Sequence, residues 1–490
     1  MLRWISPPVD NPPKPWPASA GAASRRQAQE GISMEGPRAL PVGLHTEVIM
    51  KSMEEQKYWN PVIETLSRER LTEIELKRFR ETLRWAKESS PFYREKLRGI
   101  EPEDIRTFED ISKVPMTEKD ELRAAQEGKE PFLYGDLLAV HPERLSVFHQ
   151  TSGTTGKPVF FPDTYESWQL VVDIWCYILY AAGFRSTDRV FLPFVYNVYI
   201  AFWQGHYAAE KLGCEVVPGG GLETKARIQK MKEVQATALM NTPTYGLHMI
   251  EVAKEMGIDP KRDLRVKKMI CAGEPMPEST RLRLEEGWGA DVYDHIGGTE
   301  PGGWAGMCSE KQGMHVIEPY FLHEMVDLET MSKPVPPGVK GVAVITPLCR
   351  KCIPLIRFNL KDIMVVRKDP CSCGRTSIRV DQIGGRVDDL RKIRGVFFSP
   401  SVVEEVIRGQ FPEVVEFETL LTQEEVMPVL TLKVELDPSI GENQYKELRS
   451  RIRERLKIRS NLTFEMEIVK PGGLPRYTLK SSRFKDLTKK

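Results

Sequence analysis

The sequence predicts a layered α/β body followed by a smaller α+β region, and three observations support this. The chain has 490 residues, more than one hydrophobic core usually organises. Short β-rich runs alternate with amphipathic helical segments between about Leu145 and Val380. After Gly385-Arg386 the pattern changes to a compact mixture of helices and strands that continues to the C-terminus. These observations favour two folded domains over one.

The elements of the body are predicted in order from their local patterns. From Glu54 to about Leu97, apolar residues recur among charges at helical spacing, which predicts a peripheral helical layer. The predicted strands are Ser146–Gln150, Arg189–Pro193, Cys214–Val217, Ala236–Met240, Lys268–Ala272 and Val342–Thr346. The predicted helices between them include Glu166–Ala182 and Glu278–Glu285.

The C-terminal region is predicted as a sheet with two helices. Its predicted strands are Leu390–Ile393, Val415–Thr422, Val429–Val434 and Thr463–Ile468. Its predicted helices are Ser401–Gln410 and Gln444–Leu456. We therefore expect an N-terminal domain over residues 51–385 and a C-terminal domain over residues 386–490. Residues 1–50 are rich in proline with almost no apolar periodicity, so a disordered tail is expected there.

Composition and charge exclude several functional classes. Hydrophobic residues make up 41% and charged residues 28% of the chain, as in ordinary globular proteins. Lys+Arg of 70 against Asp+Glu of 69 gives a net charge of +1, so nucleic acid is not an expected partner. No apolar run is long enough to span a bilayer, so no membrane association is expected. Eight cysteines are too few for a disulfide framework, so we expect a reducing, cytoplasmic location.

A glycine-rich loop follows the first predicted strand and has the composition of a phosphate-binding loop. Its residues are Thr151, Ser152, Gly153, Thr154, Thr155, Gly156 and Lys157. Glycines allow backbone N–H groups to approach phosphate oxygens, and the hydroxyls and Lys157 add donors and positive charge. The spacing differs from the P-loop G-x-x-x-x-G-K-[ST]. A flexible surface turn is the alternative interpretation of this segment.

Further motifs follow in a fixed order and carry a family resemblance. They are Ser90-Pro91-Phe92-Tyr93-Arg94, Thr242-Pro243-Thr244-Tyr245, Ala272-Gly273-Glu274-Pro275, Gly297-Gly298-Thr299-Glu300, Arg357 with Asp362, Gly385-Arg386-Val387-Asp388-Asp389 and Leu474-Pro475-Arg476 ahead of Lys480. From about Glu54 to its end, the chain resembles the phenylacetate–CoA ligase-like branch of the adenylate-forming (acyl-CoA synthetase) superfamily. The resemblance implies the adenylate-forming enzyme fold, in which a small α+β C-terminal domain is mobile relative to a large layered α/β N-terminal domain.

The resemblance also implies a two-step reaction with ATP, Mg²⁺ and coenzyme A. A carboxylic acid attacks the α-phosphate of ATP to give an acyl-adenylate, and the acyl group then passes to coenzyme A. Lys480 would reach the α-phosphate and the carboxylate during the first step. Thr299 would contact phosphate, and Glu300 would hold Mg²⁺. A solvated glutamate and a solvated basic tail are the alternative interpretations of Glu300 and Lys480.

Further residues are assigned to the nucleotide and to coenzyme A by the same resemblance. Gly273, Glu274 and Pro275 would line the adenine edge, with Asp294 nearby, and Asp362 would accept hydrogen bonds from the ribose hydroxyls. Arg386 and Asp388 would form the interdomain hinge, and Gly395 would face the pantetheine tunnel. Ile296 departs from the family, which commonly has tyrosine there, so the stacking face for the purine is either lost or supplied elsewhere. An aliphatic residue can still cover a purine.

A cysteine and histidine set indicates a structural zinc site. Cys308 and His315 lie in one segment and Cys371 and Cys373 in another, and Cys₃His is a recognised tetrahedral Zn²⁺ set. Some proteins of the resembled branch carry zinc at these positions. A competing set combines Cys371 and Cys373 with the Cys349-x-x-Cys352 pair; we rank it second because the segment from Ala343 to Phe358 is predicted as strands. Reduced buried cysteines without metal are the third interpretation.

The acid is expected to bind beside an aromatic segment. The segment from Phe194 to Gly205 is rich in aromatic residues, and together with Thr242–Tyr245 it favours an aryl or arylalkyl acid such as phenylacetate. The same residues would suit a buried helix. Two other functions stay open: adenylyl transfer to another acceptor, as in relatives that act on a deazaflavin, and non-enzymatic nucleotide binding. The sequence carries no signal for an oligomeric state.

Overall fold

The computed structural model describes residues 56–151, 157–393, 396–424, 427–476 and 483–488. These residues belong to one compact unit, Glu54–Lys490. Within the described ranges, no helix combines the length and apolar character needed to cross a bilayer. The predicted Pro-rich tail and Lys480, Gly395 and loop residues 152–156 lie outside the described residues.

Helices cover both faces of the large sheet and one face of the small one. The α-helices are α1 Pro61–Glu64, α2 Arg68–Ser89, α3 Pro91–Lys96, α4 Lys119–Gln126, α5 Tyr165–Ala181, α6 Ile200–Lys211, α7 Thr224–Glu233, α8 Pro243–Glu255, α9 Pro260–Asp263, α10 Glu278–Trp288, α11 Ser401–Gln410 and α12 Glu442–Ser460. Side-chain oxygens of Ser67, Thr164 and Thr242 cap the N-termini of α2, α5 and α8.

The strands of the body form a small antiparallel pair and one large mixed sheet. They are β1 Leu145–Gln150, β2 Phe160–Thr164, β3 Arg189–Leu192, β4 Glu215–Pro218, β5 Ala238–Asn241, β6 Lys268–Cys271, β7 Asp291–Gly298, β8 Gly302–Met307, β9 Met314–Val316, β10 Phe321–Val326, β11 Lys340–Pro347, β12 Phe358–Val366 and β13 Arg379–Arg386. β1 pairs with β2, and the remaining strands lie in the order β10-β11-β12-β13-β9-β8-β7-β6-β5-β3-β4.

Strand β7 is where the large sheet changes from parallel to antiparallel. It pairs in parallel with β6 on one side and antiparallel with β8 on the other. The parallel strands β3, β5, β6 and β7 are almost wholly buried, as expected for strands covered by helices on both faces. In open sheets of this kind, ligands bind at the carboxyl ends of the parallel strands. The turn that follows β7, residues 299–301, is therefore a position where a ligand is expected.

The C-terminal region is a separate sheet covered by two helices. Its strands are β14 Arg391–Ile393, β15 Val396–Phe398, β16 Val414–Glu424, β17 Met427–Leu436, β18 Phe464–Val469 and β19 Phe484–Asp486. β14 and β15 form a hairpin, and the other four lie in the order β18-β17-β16-β19. Apolar residues of α11 and α12 pack with this sheet in a core of their own.

The predicted fold class is confirmed: a layered α/β body is followed by an α+β region. The helix predicted at Ser401–Gln410 has those bounds in the structure. The strand-like segment predicted from Ala343 to Phe358 is instead two strands, β11 and β12, separated by a loop over residues 348–357.

Candidate active site

The carboxyl ends of three adjacent parallel strands bring the predicted motifs together. Asn241 of β5 lies beside Cys271 of β6, and Cys271 lies beside Asp294 of β7. The Thr242–Tyr245 and Ala272–Pro275 segments begin directly after β5 and β6, and so lie at the same edge of the sheet. The structure thus brings together motifs that are well separated in the sequence.

Thr299 lies at the base of the predicted phosphate loop. Its hydroxyl donates to the carbonyl oxygen of Gln150 at 3.4 Å. Thr151, the residue after Gln150, makes two hydrogen bonds with Val159. Its N–H donates to the Val159 carbonyl at 3.0 Å, and its hydroxyl accepts from the Val159 N–H at 2.9 Å. The two ends of the glycine-rich loop are therefore held close together beside Thr299.

Lys157 has a partner outside the loop. Its ammonium group lies 2.5 Å from a carboxylate oxygen of Glu127, and both side chains are exposed. Arg123 donates to the Lys157 carbonyl at 3.0 Å, which fixes the backbone. An exposed ion pair is worth little, so a phosphate group can compete with Glu127 for this lysine.

Glu300 is buried and already faces a cation. Its carboxylate lies 2.9 Å from the ammonium group of Lys119, the first residue of α4. Glu300 is 9% exposed. A carboxylate that is held beside a phosphate-binding turn and balanced by one positive charge has the chemistry to accept Mg²⁺, which prefers oxygen ligands.

Arg350 and Asp163 support the Thr299–Glu300 turn and were not predicted from the sequence. Arg350 donates to both the Thr299 and the Glu300 carbonyl oxygens at 2.7 Å. Its other nitrogens contact the two oxygens of Asp163 at 3.1 and 2.7 Å. The two side chains are 2% and 0% exposed. Because burial makes each charge depend on the other, this pair fixes the backbone on which Thr299 and Glu300 sit.

The predicted adenine edge is formed by short contacts between the β5 and β6 loops. Glu274 accepts the Thr244 N–H at 2.6 Å, which ties the two loops together. Gly273 has φ of +86°, a conformation that a residue with a Cβ rarely adopts. The loop geometry therefore depends on glycine at that position.

Asp294 is a buried carboxylate at the same edge. It accepts the N–H of its neighbour His295 at 2.9 Å. Burial raises the pKa of Asp294 to about 8, although the His295 hydrogen bond acts in the opposite direction. The next residue but one, Ile296, packs into the core cluster around Trp304 and Phe161.

The predicted ribose and hinge residues lie together. Asp362 of β12 lies opposite Arg386 of β13 in the sheet, and their side chains meet at 3.2 Å. Asp388 follows in a 3₁₀ turn over Val387–Asp389 and contacts the ammonium group of Lys361 at 3.1 Å. The candidate ribose ligand and the candidate hinge are thus linked by charge pairs.

The predicted cysteine and histidine set forms a cluster. Ligand atoms of Cys308, His315, Cys371 and Cys373 all lie within 4.8 Å of one another, and all four residues are buried. The Cys308 and Cys371 sulfurs are 3.7 Å apart, and Cys373 Sγ is 3.4 Å from His315 Nε2. A tetrahedral ion with Zn–S of about 2.3 Å places two sulfurs about 3.8 Å apart. The cluster therefore has the dimensions of a Zn²⁺ site.

The surroundings of the cluster also suit a metal. His315 Nδ1 lies 3.2 Å from the Ser377 hydroxyl, which orients the ring and leaves Nε2 facing the sulfurs. A hydrogen bond from Cys308, followed by one from His315, lowers the pKa of Cys373, so a thiolate is favoured. The competing set is not grouped among the described residues, because the cluster there contains neither Cys349 nor Cys352. Cys352 Sγ accepts the Thr164 N–H at 3.2 Å.

The aromatic residues of the expected acid pocket fall into two groups. Phe202 stacks on Phe194 with ring centroids 3.8 Å apart. Trp203 packs edge-on against Tyr196 at 4.8 Å. Gln204 lies on α6 with Phe202 and Trp203, and this residue is buried. The segment thus carries both aromatic surface and a buried amide.

Comparison with known proteins identifies the family. A model described as AMP-binding enzyme matches residues 86–346, and one described as AMP-binding enzyme C-terminal domain matches residues 395–488. The chain belongs to the AMP-binding enzyme family. Phenylacetate-coenzyme A ligase of Thermus thermophilus is 31% identical over 439 residues, covering 85% of this chain and 96% of the relative. The Escherichia coli enzyme of that name is 32% identical over 446 residues, covering 87% and 97%.

Solved structures of an acyl-CoA ligase extend the comparison to the whole architecture. A 2-hydroxyisobutyryl-CoA ligase in its postadenylation state matches with a TM-score of 0.82 at 27% identity, covering 92% of this chain and 94% of that one. The same ligase in its thioesterification state, with coenzyme A bound, gives 0.66 at 29% identity, covering 89% and 93%. This chain is therefore an enzyme of the acyl-CoA ligase type, an AMP-forming acid–thiol ligase, and its conformation is closer to the postadenylation state.

Proposed function

We propose that this enzyme activates an aryl or arylalkyl carboxylic acid, such as phenylacetate, as its acyl-adenylate and then transfers the acyl group to coenzyme A. The proposal rests on the hydrogen bond from the Thr299 hydroxyl to the Gln150 carbonyl, because this contact brings the turn after β7 next to the predicted phosphate loop. Relatives named phenylacetate-coenzyme A ligase and the aromatic segment beside α6 support the choice of acid.

In the first step the described residues would align the reactants and neutralise charge. Thr151, Thr299 and Lys157 would contact phosphate oxygens, and Glu300 would hold Mg²⁺, which screens the charge of the phosphates. Asp362 would accept hydrogen bonds from the ribose hydroxyls, and Glu274 and Asp294 would lie along the adenine. Each assignment rests on the family motif. Thr299 and Glu300, which follow β7, and Glu274, which follows β6, also lie at the carboxyl edge of the parallel strands.

Zn²⁺ is proposed as a structural ion held by Cys308, His315, Cys371 and Cys373. All four ligand positions of a tetrahedral site are supplied by the protein, so no position remains for substrate. The ion would join the β8–β9 connection to the β12–β13 connection and stabilise the fold.

The activity is tested with a panel of carboxylic acids incubated with ATP, Mg²⁺ and coenzyme A, with AMP and acyl-CoA followed by mass spectrometry. We expect acid-dependent AMP with an equal amount of the matching thioester, greatest for aryl and arylalkyl acids. Adenylate formed without thioester would instead identify an adenylyltransferase and contradict the proposed acceptor. Preference for short alkyl acids would contradict the proposed substrate.

Lys480 is tested through the two half-reactions. Lys480→Ala should slow acyl-adenylate formation by about 100-fold or more, because a positioned charge on the α-phosphate is lost. Thioester formation from preformed acyl-AMP should change little. Lys470→Ala is the matched control on the same C-terminal segment. An equal loss in both half-reactions would exclude the proposed role of Lys480.

A further inference from the structure

Helix α4 and the residue that caps its C-terminus present four polar side chains on one face. Arg123, Gln126 and Glu127 follow Lys119 at spacings of four, seven and eight residues, which places all four on the same side of an α-helix. Lys119 is the lysine that pairs with Glu300. The other three contact the segment that leaves the predicted phosphate loop, so one short helix reaches two parts of the candidate site.

Gln126 makes the most specific of these contacts. Its Nε2 atom donates to the Phe160 carbonyl and its Oε1 atom accepts the Phe160 N–H, both at 2.9 Å. The side-chain amide thus pairs with Phe160 as a residue of a neighbouring strand would. Arg123 Nε donates to the Lys157 carbonyl at 3.0 Å. Two side chains of α4 therefore hold the backbone between residues 157 and 160.

The contacts of α4 close a ring around the base of the phosphate loop. Phe160 lies opposite Gln150 in the β1–β2 pair, and the Gln150 carbonyl accepts the Thr299 hydroxyl. Thr299 is followed by Glu300, whose carboxylate pairs with Lys119 at the start of α4. Each neighbour in this ring is joined by a hydrogen bond, an ion pair or the chain itself. A shift of α4 would therefore move the end of the loop relative to the turn after β7.

The N-terminal end of α4 is anchored to the strand that carries the candidate ribose ligand. Glu118, directly before the helix, accepts the side-chain amide of Asn359 at 2.8 Å. The Thr117 N–H donates to the Arg357 carbonyl, and the Thr117 carbonyl accepts the Asn359 N–H, both at 3.0 Å. Asp362 lies three residues further along β12. The helix thus begins beside the proposed ribose strand and ends beside the phosphate loop.

We propose that Gln126 is a positioning residue for ATP, which fixes the backbone at Phe160 and so holds Lys157 in reach of the β- and γ-phosphates. Lys480 is assigned to the α-phosphate, so these two phosphates are the ones left for Lys157. Glu127 pairs with the exposed Lys157 ammonium group at 2.5 Å until a phosphate replaces it. This inference rests on the proposed function and adds a residue that lies outside its motifs.

The experiment compares nucleotides with and without the two outer phosphates. Gln126→Met keeps the length of the side chain and removes both hydrogen bonds to Phe160. The dissociation constant for ATP with Mg²⁺, measured by titration calorimetry, should rise about 10-fold, because the lysine is no longer held in place before ATP binds. The dissociation constant for AMP should be unchanged. The KM for ATP should rise by a similar factor, whereas thioester formation from preformed acyl-AMP should keep its rate.

A matched control separates this role from a general effect on folding. Ala124→Gln adds a glutamine at an exposed position of the same helix and should bind both nucleotides as the wild type does. Gln126→Met should unfold close to the wild-type temperature, because water can replace the amide at this partly buried position. Equal loss of affinity for ATP and AMP would show a general defect and overturn the inference, and so would wild-type affinity for ATP. Failure of the wild type to bind ATP would overturn the proposed function itself.

Discussion

Arg350 shows how one buried side chain can determine the geometry of a turn, here the one that carries Thr299 and Glu300. It donates to two consecutive carbonyl oxygens, those of Thr299 and Glu300, while Asp163 holds its other face. The arginine and the aspartate are both buried, so neither charge is screened by water. Arg350 therefore positions Thr299 and Glu300, the proposed phosphate and metal ligands.

Replacing Arg350 should affect folding and activity separately. Arg350→Met should lower the free energy of unfolding by about 3–5 kcal/mol, because Asp163 is left buried without its positive partner and keeps only the Ser167 hydroxyl as a side-chain donor. Adding Asp163→Asn should recover part of that stability. Acyl-adenylate formation should remain about 100-fold low in the double variant, because both turn carbonyls still lack their donor. Denaturant unfolding and pyrophosphate exchange measure the two effects; recovery of activity together with stability would exclude a positioning role.

Asp294 predicts a pH dependence of stability. Burial raises its pKa to about 8 from the ordinary 3.8. Between these values the folded chain holds the proton and the unfolded chain has lost it, so rising pH destabilises the fold. The free energy of unfolding falls by up to about 1.4 kcal/mol per pH unit in this range, and the fall ends above the pKa of the folded state.

Asp294→Asn isolates this effect because asparagine has a similar shape and stays neutral. The free energy of unfolding of both proteins is measured in urea at pH 5, 6.5, 8 and 9. The variant should be the more stable of the two by an amount that grows up to pH 8 and is constant above it. A difference that is independent of pH would show that Asp294 does not bind a proton in the folded state at neutral pH.

The cysteine and histidine cluster, the proposed Zn²⁺ site, joins different secondary-structure elements. Cys308 follows β8, His315 lies in β9, and Cys371 and Cys373 lie between β12 and β13. β9 and β13 pair through only two residue pairs, Arg379 with His315 and Val380 with Met314. A metal bridge at this point would reinforce a short stretch of the large sheet.

Cys371→Ser should remove the metal and weaken the fold. Elemental analysis of the wild-type protein should give about one zinc per chain, and the variant should lose it and unfold at a lower temperature. Cys349→Ser is the control, since Cys349 lies outside the cluster. Purified wild-type protein without zinc, or a Cys371→Ser variant that retains it, would contradict the site.

Local elements could be predicted from the sequence, whereas distant partners could not. The pattern of apolar residues from Ser401 to Gln410 predicted the bounds of α11 correctly, because an amphipathic helix is encoded within its own residues. Strand β19 was not predicted, since its three residues form a strand only through pairing with β16. Arg350 and Asp163 are 187 residues apart, and neither lies in a recognised motif. Their pairing depends on tertiary structure, which a local pattern does not encode.

The family motifs gave the positions of the site but not its contacts. Cys308, His315, Cys371 and Cys373 were predicted to lie together, and the structure groups them; the Zn²⁺ that they would hold stays a proposal. The Lys119–Glu300 contact carried no sequence signal. Lysine is a common surface residue, and only the fold shows that Lys119 faces the β7 turn.

At the scale of the whole molecule, two arginines join the C-terminal region to the nucleotide edge, the carboxyl edge of β5 and β6 where the adenine is proposed to lie. Arg476 contacts Glu251 of α8 at 3.3 Å and Glu435 of β17 at 2.6 Å. Arg483 donates to the Thr244 hydroxyl at 3.3 Å and pairs with Glu416 at 2.7 Å. These arginines lie on either side of Lys480 in the sequence. Their contacts with α8 therefore favour the arrangement in which the C-terminal region meets the nucleotide edge.

Weakening this interface should slow the first half-reaction selectively. Glu251→Gln combined with Thr244→Val removes one contact from each arginine on the α8 side, while Glu435 and Glu416 still pair with them. The partly exposed Arg476–Glu251 ion pair and the buried Arg483–Thr244 hydrogen bond are together worth about 1 kcal/mol or slightly more, so the population of the docked arrangement should fall about 5- to 10-fold. Pyrophosphate exchange should fall by a similar factor, and thioester formation from preformed acyl-AMP should be unchanged or faster.

Glu255→Gln provides the control for this experiment, because Glu255 lies on the same helix and pairs only loosely with Lys225, at 3.9 Å. It should leave both half-reactions at the wild-type rate. Limited proteolysis near the β13–β14 connection is a second measurement. Cleavage should be faster in the double variant, because an undocked C-terminal region leaves this connection accessible for longer. Equal loss of both half-reactions, with proteolysis unchanged, would mean that α8 supports the nucleotide loops and does not select the orientation of the C-terminal region.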